Sequence, residues 1–284
     1  MRQLCWLTNL DRSAHLPITV CELRYGAEPV QALLTADLAC RFPAEQGLVD
    51  IHIEPNRQGH LIVGMLDLVP QVISYELYAC AMRTLTKEHL PLLTRFVSLL
   101  GLVNTPCLQR FVDYWSDHPE HFAAYLSMPA SYRDHHAYPH GLFIHSLEVA
   151  ELAYSNAVRL QHSPRECQLA LLAGLFHDLG KIYSQTEADV SGYQTGVHEC
   201  LNFSLLALEL DALAKDDWDC HRIFTSMLAP YSRHRSEQYA IEGIFRNADH
   251  NSCQSDRSRM LFADKPPYYR FIKDGQRMVR RLPG

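Results

Sequence analysis

Two histidines and two aspartates in the sequence have the residue types of a mixed metal site. They are His145 in the string GLFIHSLEVAELA, His177 and Asp178 in LLAGLFHDLGK, and Asp249 in IEGIFRNADH. Neutral imidazole nitrogens and carboxylate oxygens can together bind Mn²⁺, Fe²⁺, Zn²⁺ or Mg²⁺. A cation bound in this way activates a water molecule and neutralises the charge that develops on a phosphoryl oxygen. The residues therefore predict metal-dependent hydrolysis of a phosphate ester.

Two predicted helices must position the first three of these side chains. One covers residues 141–161 and carries His145. The other covers residues 165–179 and is nearly all apolar before His177-Asp178, which is typical of a buried helix, and Gly180 should end it in a left-handed cap. Successive residues on a helix point about 100° apart. The His-Asp pair can therefore flank one ion, and the aspartate can also bridge two.

Asp249 is expected near the end of a later helix over residues 236–250, with further helices over 198–214 and 218–229. Lys181 follows just past the end of the buried helix, where its ammonium could meet a phosphate as a point charge. An ordinary cation at a helix C-terminus is the alternative for this lysine.

The order of these residues resembles that of a known superfamily. His145, then His177-Asp178 in the string HDLGK, then Asp249 is similar to the HD superfamily of metal-dependent phosphohydrolases. Lys181 matches the lysine that often stands in the HDxGK string of that superfamily. The resemblance implies an all-helical metal-binding domain that acts on a phosphate ester.

One stretch resembles two branches of the superfamily more closely. Residues 129–145 (PASYRDHHAYPHGLFIH) are similar to the corresponding stretch of YhaM-type 3′-to-5′ exoribonucleases and of the HD region of MobH-class conjugative relaxases. Both branches usually have glycine at the position of His140, so this histidine is a departure. The exonuclease branch implies an OB fold in front of the HD domain.

In two-metal members of the superfamily, two further histidines from following helices bind the second ion. His198 and His234 match them in order and spacing, so the resemblance implies one or two divalent ions. A structural role is the alternative for either histidine. We also expect His136, or its neighbour His135, at the rim of the site, where it could stabilise phosphate charge.

The N-terminal part of the chain is rich in strand patterns. Strands are predicted at residues 17–23, 48–53 and 60–69, and these favour a small barrel or a sandwich. The expected fold is mainly α: an all-helical HD domain after a β-rich, OB-like domain, with a C-terminal hairpin. The expected segments are an OB-like domain over 1–80, a helical connector over 81–134, the HD domain over 135–255 and a tail over 256–284.

The tail over residues 256–284 is basic and aromatic. It holds eight Lys and Arg against three Asp, and Asp274-Gly275 predicts a hairpin with a type I′ turn. Cations interleaved with rings can grip a single strand through its phosphates and bases. The candidate nucleic-acid-binding residues are Tyr269, Arg270, Lys273 and Arg277. A solvated hairpin without a partner is the alternative.

Composition limits the class of protein. The chain has 284 residues, of which 47% are hydrophobic and 20% charged, and a net charge of −6, which is typical of a soluble globular protein. No apolar run is long enough to cross a membrane. The nine cysteines lack metal-site spacing and are expected to be reduced and mostly buried. The absence of a signal-peptide pattern predicts a cytoplasmic protein, and the sequence leaves an oligomer open.

The leading hypothesis is a metal-dependent phosphodiesterase that acts on nucleic acid, as a 3′-to-5′ exonuclease on single-stranded RNA or DNA. Asp178 would hold the ion or ions, and Lys181 and His136 would stabilise phosphate charge. One alternative keeps the chemistry but takes a free nucleotide, a cyclic nucleotide or a cyclic dinucleotide. Another is a non-catalytic HD scaffold that binds nucleic acid or serves conjugation.

Overall fold

The computed structural model describes residues 2–11, 17–26, 28–42, 44–184, 198–230, 238–275 and 277–282. They form two compact units, residues 1–126 and residues 127–284. The predicted fold class, mainly helical with an N-terminal β region, is confirmed. The finer division into four segments stays a prediction.

A closed five-stranded barrel, in the order β1-β2-β3-β5-β4, begins the first unit. Its elements are β1 (Arg2–Thr8), β2 (Ile18–Arg24), β3 (Val30–Thr35), α1 (Ala36–Arg41), β4 (Gly47–Pro55) and β5 (Leu61–Leu68). The paired strands are antiparallel except for β3 with β5. The sequence left a barrel or a sandwich open; the structure has the barrel, which is compatible with the OB-like expectation.

Strand β1 is not among the predicted strands because both of its faces are covered. Cys5 and Leu7 belong to the apolar cluster that fills the barrel. Trp6 points the other way, and its ring packs 5.5 Å from Tyr75 and 5.9 Å from Tyr78, measured between centroids. Four successive residues are therefore buried, and the alternation that marks a half-exposed strand is lost.

Helices complete the first unit. They are α2 (Tyr75–Thr84), α3 (Leu90–Leu100), α4 (Gln109–Asp117) and α5 (Pro119–Ser127). Large rings pack between α3, α4 and α5: Trp115 lies 4.5 Å from Tyr125 and 5.6 Å from Phe122, and Phe96 lies 5.5 Å from Phe122. All four side chains are fully buried and form the core of this helical part.

The second unit is a helical bundle with a small hairpin. Its helices are α6 (Gly141–Arg159), α7 (Pro164–Phe176), α8 (Lys181–Ser184), α9 (His198–Leu205), α10 (Ala207–Asp216), α11 (Trp218–Leu228) and α12 (Ala240–Phe262). Helix α7 packs against α6, α11 and α12. Because neighbours cover it on several sides, its residues 167–176 are all buried. The start of α7 has a capping box, in which Ser163 and Glu166 bond each other's backbone N–H groups.

Two helix predictions need correction. The last helix is longer than expected, so Asp249 lies in the middle of α12 and not near its end. The predicted helix over 198–214 breaks at Leu206 into α9 and α10. In both cases the helical pattern itself is right, and the error lies in the boundary, which capping residues do not mark here.

Gly180 is not the left-handed cap that the sequence predicts. Among the described glycines, only Gly47, Gly59 and Gly275 have a positive φ. Gly180 is needed for close approach instead, because a Cβ there would collide with the carbonyl oxygen of His198. It allows the turn after α7 to touch the start of α9.

The C-terminal hairpin is present, formed by β6 (Phe271–Asp274) and β7 (Arg277–Arg280). Asp274 pairs with Arg277, so the connection begins at Gly275, one residue later than predicted. Arg257 of α12 donates to Asp274 at 2.6 Å and ties the hairpin to the bundle. Among the described helices, none combines the length and the apolar character needed to cross a lipid bilayer.

Candidate metal centre

The four predicted ligands converge on one point inside the second unit. His145 Nε2 lies 3.2 Å from His177 Nε2, 3.4 Å from Asp178 Oδ2 and 3.3 Å from Asp249 Oδ1. His177 Nε2 lies 3.5 Å from the same oxygen of Asp178 and 3.8 Å from that of Asp249. The first residue comes from α6, the pair from the turn after α7, and the last from α12. Side chains far apart in the sequence thus present two imidazole nitrogens and two carboxylate oxygens to a common centre.

The spacing of these atoms fits a small divalent cation. Metal–nitrogen and metal–oxygen bonds of about 2.0–2.2 Å place neighbouring ligand atoms roughly 3–3.5 Å apart. His145, His177 and Asp249 form one of the groups of ligand atoms close enough for an ion. The donor set of imidazole and carboxylate suits Mn²⁺, Fe²⁺, Zn²⁺ or Mg²⁺. The residues present therefore fit the ion that the sequence predicts.

Both histidine rings are held so that Nε2 faces this centre. His177 Nδ1 lies 3.0 Å from the carbonyl oxygen of Gly174, and this acceptor requires the proton on Nδ1. His145 Nδ1 lies 3.0 Å from Ser252 Oγ. Such hydrogen bonds on the far nitrogen set the tautomer and orientation of a metal-binding histidine.

Charge and burial keep the ligands in the forms that bind metal. Burial lowers the pKa of His145, although Asp249 and Asp178 act in the opposite direction, so its ring is neutral at pH 7. Burial would raise the pKa of Asp178, but the Lys181 ammonium and the surrounding imidazoles bring it well below its usual range. The pKa of Asp249 is also lowered: burial would raise it, and the neighbouring His145 and His177 rings outweigh that effect. Both carboxylates are ionised.

Lys181 lies inside the site and not beyond a helix end. Its ammonium contacts Asp178 Oδ2 at 2.6 Å, and the side chain is only 10% exposed. This position argues against the alternative of an ordinary cation at a helix C-terminus, because a buried ammonium needs a charged partner. The lysine is the first residue of α8, directly after the turn that carries the His-Asp pair.

Asn202 of α9 clamps that turn. Its amide donates to the carbonyl oxygen of His177, and its Oδ1 accepts the N–H of Gly180 at 2.6 Å. The side chain is fully buried. Asn202 is not among the residues predicted from the sequence, although its position one turn after His198 on the same helix face is a usable signal.

One of the two second-ion candidates lies at the site. His198 Nε2 is 3.0 Å from Asp178 Oδ1, the oxygen that does not face His145. The two oxygens of Asp178 therefore point to histidines on different sides, as a bridging carboxylate would require. His234 lies outside the described residues.

The two neighbouring loop histidines have different positions. His136 is fully buried, and its ring Nε2 lies 3.2 Å from Glu148 Oε2. The backbone N–H of His136 donates to Asp256 Oδ2 at 2.5 Å. The ring of His135 lies 5.1 Å from that of His145, and its Nε2 is buried without a hydrogen-bond partner. The rim position that the sequence assigned to one of them thus suits His135 better than His136.

His140, the departure from the family pattern, has a backbone that glycine would favour. It precedes α6 in the left-handed region, with φ of 67°. A close backbone approach is made by the next residue, Gly141, where a Cβ would collide with the carbonyl oxygen of His136. The histidine is therefore tolerated at the cost of a strained backbone.

One cysteine is near the centre. Cys253 lies with His135 and His145 in a second group of ligand atoms, and its thiol donates to Asp249 Oδ1 at 3.4 Å. Burial, and then the neighbouring Asp249, raise the pKa of this thiol. Since the thiolate is the form that binds metal, the protonated thiol is a poor ligand. Of the nine cysteines, five are buried, and all are free.

The four predicted nucleic-acid-binding residues are exposed on or beside the hairpin. They do not share one face. Cross-strand pairs place Lys273 with Met278, and Phe271 with Arg280, on one side, whereas Arg277 pairs with Asp274 on the other. Tyr269 and Arg270 precede β6.

Comparison with known proteins gives one family. No curated protein and no solved structure matches the chain. Three of the ligands named above, His145, His177 and Asp178, fall within the part that matches, and Asp249 lies beyond it. Residues 142–228 match the family model of the HD domain, which binds divalent metals, and the match supports a metal-dependent phosphohydrolase of the HD superfamily.

Proposed function

We propose that this protein is a metal-dependent phosphodiesterase that hydrolyses nucleic acid, as a 3′-to-5′ exonuclease on single-stranded RNA or DNA. The observation that carries the proposal is the convergence of His145, His177, Asp178 and Asp249, with contacts of 3.2–3.8 Å between their ligand atoms. A divalent ion bound there supplies an activated water and neutralises charge on a phosphoryl oxygen.

The protein's own side chains prepare the site for a phosphate. His145 and His177 present their Nε2 atoms, while Asp178 and Asp249 supply negative charge for the ion. Lys181 adds a positive charge that can stabilise the negative charge of the phosphate, because its ammonium already lies at the centre.

His135 is the best placed residue for direct contact with substrate. Burial, and then the nearby His145 and Lys181, lower its pKa to about 4, so the ring is neutral at pH 7. A neutral imidazole can donate one hydrogen bond, and the Nε2 atom has no acceptor in the protein. A phosphate oxygen would provide that acceptor. His136, whose ring is bonded to Glu148, supports the loop from behind.

A polymeric substrate is favoured by the hairpin and by the barrel. One face of the hairpin carries exposed Phe271, Lys273, Met278 and Arg280, a combination of one ring and two cations that suits a single strand. A closed five-stranded barrel is the architecture of OB folds, which bind oligonucleotides. The resemblance of residues 129–145 to the exonuclease branch supports the same substrate and direction.

The test uses the full chain loaded with Mn²⁺ and single-stranded RNA and DNA labelled at either end. A 3′-to-5′ exonuclease produces a ladder from the 5′-labelled strand and a labelled mononucleotide from the 3′-labelled strand. Asp178→Asn and Asp249→Asn should each lose more activity than the roughly 10–100-fold that removal of an outer partner costs. Asp219→Asn, at an exposed aspartate of the same unit outside the basic tail, is the matched control and should cleave normally.

A panel of free and cyclic nucleotides in the same assay separates the alternatives. Turnover of a nucleotide without cleavage of either strand would contradict the nuclease and favour the nucleotide phosphohydrolase. Binding of the oligonucleotide without turnover under Mn²⁺, Fe²⁺, Mg²⁺ or Zn²⁺ would favour the non-catalytic scaffold.

A further inference from the structure

A chain of polar groups leads away from the back of His145. Its Nδ1 lies 3.0 Å from Ser252 Oγ, and this hydroxyl lies 2.7 Å from Glu148 Oε2. Glu148 is one turn after His145 on α6, and Ser252 is one turn after the ligand Asp249 on α12. The two helices that supply these ligands therefore also supply the groups behind one of them.

The acceptor at the end of this chain fixes where each proton lies. An ionised carboxylate only accepts hydrogen bonds, so the proton of Ser252 Oγ points to Glu148. The hydroxyl oxygen must then accept from His145 Nδ1–H. Because the neutral ring has one proton, Nε2 keeps its lone pair toward the other ligands.

Glu148 is itself held in place. Its Oε2 also contacts His136 Nε2 at 3.2 Å, and its Oε1 accepts from Arg259 at 3.1 Å. Asp256 holds both of these partners, through the N–H of His136 at 2.5 Å and the Arg259 guanidinium at 3.5 Å. Burial would raise the pKa of Glu148, but the hydrogen bonds from His136, Ser252 and Arg259 bring it to about 2, so the group is ionised at pH 7.

We propose that Ser252 and Glu148 are positioning residues that fix the tautomer and the orientation of His145 for cation binding. The inference rests on the metal site of the proposed function. It adds two residues that are not themselves ligands: Glu148 lies within the part of the chain that matches the HD family model, and Ser252 lies beyond it. In His177 a backbone carbonyl keeps the proton on Nδ1, whereas in His145 side chains do so, and these can be replaced by mutation.

An open groove gives a matched control for the test. Ser252 and Glu148 line a cavity of about 350 Å³ between α6 and α12, together with Ser255 and Arg259. Ser255 is on the same helix and in the same groove, but it is exposed. Ser255→Ala therefore reproduces the loss of a hydroxyl in this groove without touching the chain behind His145.

The experiment measures the dissociation constant of Mn²⁺ for the metal-free full chain and for Ser252→Ala, Glu148→Ala, the double variant and Ser255→Ala. Each of the two single variants should bind Mn²⁺ about 10–100-fold more weakly. The double variant should bind no more weakly than the worse single variant, because the two groups act in series. The Ser255→Ala variant should bind as the unchanged protein does.

Two further measurements separate positioning from general damage. The melting temperature of each metal-free variant reports whether the bundle is intact. The visible absorption spectrum of bound Co²⁺ reports the ligand geometry and should change in Ser252→Ala even at saturating metal. An unchanged dissociation constant and spectrum in Ser252→Ala would overturn the proposal, as would independent, additive losses in the double variant.

The outcome is distinguishable from failure of the proposed function. If the unchanged protein binds Mn²⁺ but cleaves no nucleic acid, the nuclease is contradicted and the affinity comparison still decides the role of Ser252 and Glu148. If the unchanged protein binds none of Mn²⁺, Co²⁺, Fe²⁺, Zn²⁺ and Mg²⁺, His145 is not a ligand, and both proposals fall.

Discussion

Asp178 contacts a charged or titratable side chain of the site through each of its two carboxylate oxygens. Oδ2 contacts the Lys181 ammonium at 2.6 Å, and Oδ1 contacts His198 Nε2 at 3.0 Å, with the side chain 4% exposed. A buried charge without a counter-charge is strongly destabilising. In the metal-free protein Lys181 is the permanent counter-charge, and a bound cation would add a second one.

We therefore expect Lys181→Met to destabilise the metal-free protein by about 3–5 kcal/mol, since one partner of a buried ion pair is lost. Saturating Mn²⁺ should reduce this loss, because the ion then compensates Asp178 and binding to the folded state adds stability. The measurement is the free energy of unfolding in urea, with EDTA and with Mn²⁺.

An exposed pair of equal length is the control for this prediction. Lys215 and Asp211 are also 2.6 Å apart, but their side chains are 73% and 67% exposed. Lys215→Met should change the free energy of unfolding by about 1 kcal/mol or less in either condition. Equal losses for Lys181→Met with and without Mn²⁺ would show that Lys181 acts by packing and not by charge.

At the same scale, the candidate ligands that the fold brings together could be predicted from the sequence, but the groups behind them could not. The string HDLGK and the order of the ligands carry a local signal. Ser252 and Glu148 give none alone, because their role depends on α6 and α12 packing side by side. Their spacing was nevertheless informative: each lies three residues after a predicted ligand, on the same helix face.

At the scale of elements, the contact between α6 and α7 sets the distance between the two histidine ligands. Gly174 of α7 lies directly against α6, where a Cβ would come within 2.5 Å of Ala150 N and 2.9 Å of Ala150 Cβ. The carbonyl of the same glycine holds His177 Nδ1. Any side chain at this position must push the helices apart.

Gly174→Ala should destabilise the protein by about 1–3 kcal/mol through overpacking. Helix propensity alone would predict the opposite sign, a gain of about 1 kcal/mol. The variant should also bind Mn²⁺ more weakly, because His145 and His177 lie on the two sides of this contact. Thermal unfolding and Mn²⁺ titration check both effects.

Gly64→Ala serves as the comparison. Gly64 is exposed in β5, and a Cβ there would have its nearest neighbour at 3.9 Å, so the change should stay within about 0.5 kcal/mol. A stable Gly174→Ala variant with normal Mn²⁺ affinity would mean that the helix contact does not set the ligand spacing.

Elements differ in how far their pattern shows in the sequence. Helix α7 is predicted over residues 165–179 from its apolar run and spans Pro164–Phe176, so the start is right to one residue and the end is three residues too late. Strand β1 is missed because Trp6 is covered by helix residues, which removes the polar face. Long-range packing of this kind cannot be seen in a local pattern.

Over the whole molecule, charge is segregated. Residues 256–284 hold eight of the 26 Lys and Arg but only three of the 32 Asp and Glu, which leaves 18 cationic against 29 acidic side chains in the rest of the chain. A polyanion should therefore be attracted to the tail and repelled elsewhere. Within the hairpin, Lys273 and Arg280 share the exposed face with Phe271, while Arg277 stands opposite Asp274.

This arrangement predicts different effects for cations of the same hairpin. Replacing both Lys273 and Arg280 with glutamine should weaken binding of a single-stranded oligonucleotide. The slope of log K against log salt should fall in magnitude by about 1.4, since each phosphate contact on a single strand contributes about 0.7. Arg277→Gln should leave the slope nearly unchanged, because Arg277 lies on the opposite face of the hairpin from Lys273 and Arg280.

Fluorescence anisotropy of a labelled oligonucleotide, measured in EDTA at several salt concentrations, checks this without cleavage. The presence of EDTA also makes the result independent of the metal centre, so binding by the tail can be judged even if hydrolysis is absent. Equal effects of the double variant and of Arg277→Gln would indicate attraction by net charge alone. No effect of either would show that the strand binds elsewhere, and the hairpin would then have no part in substrate recognition.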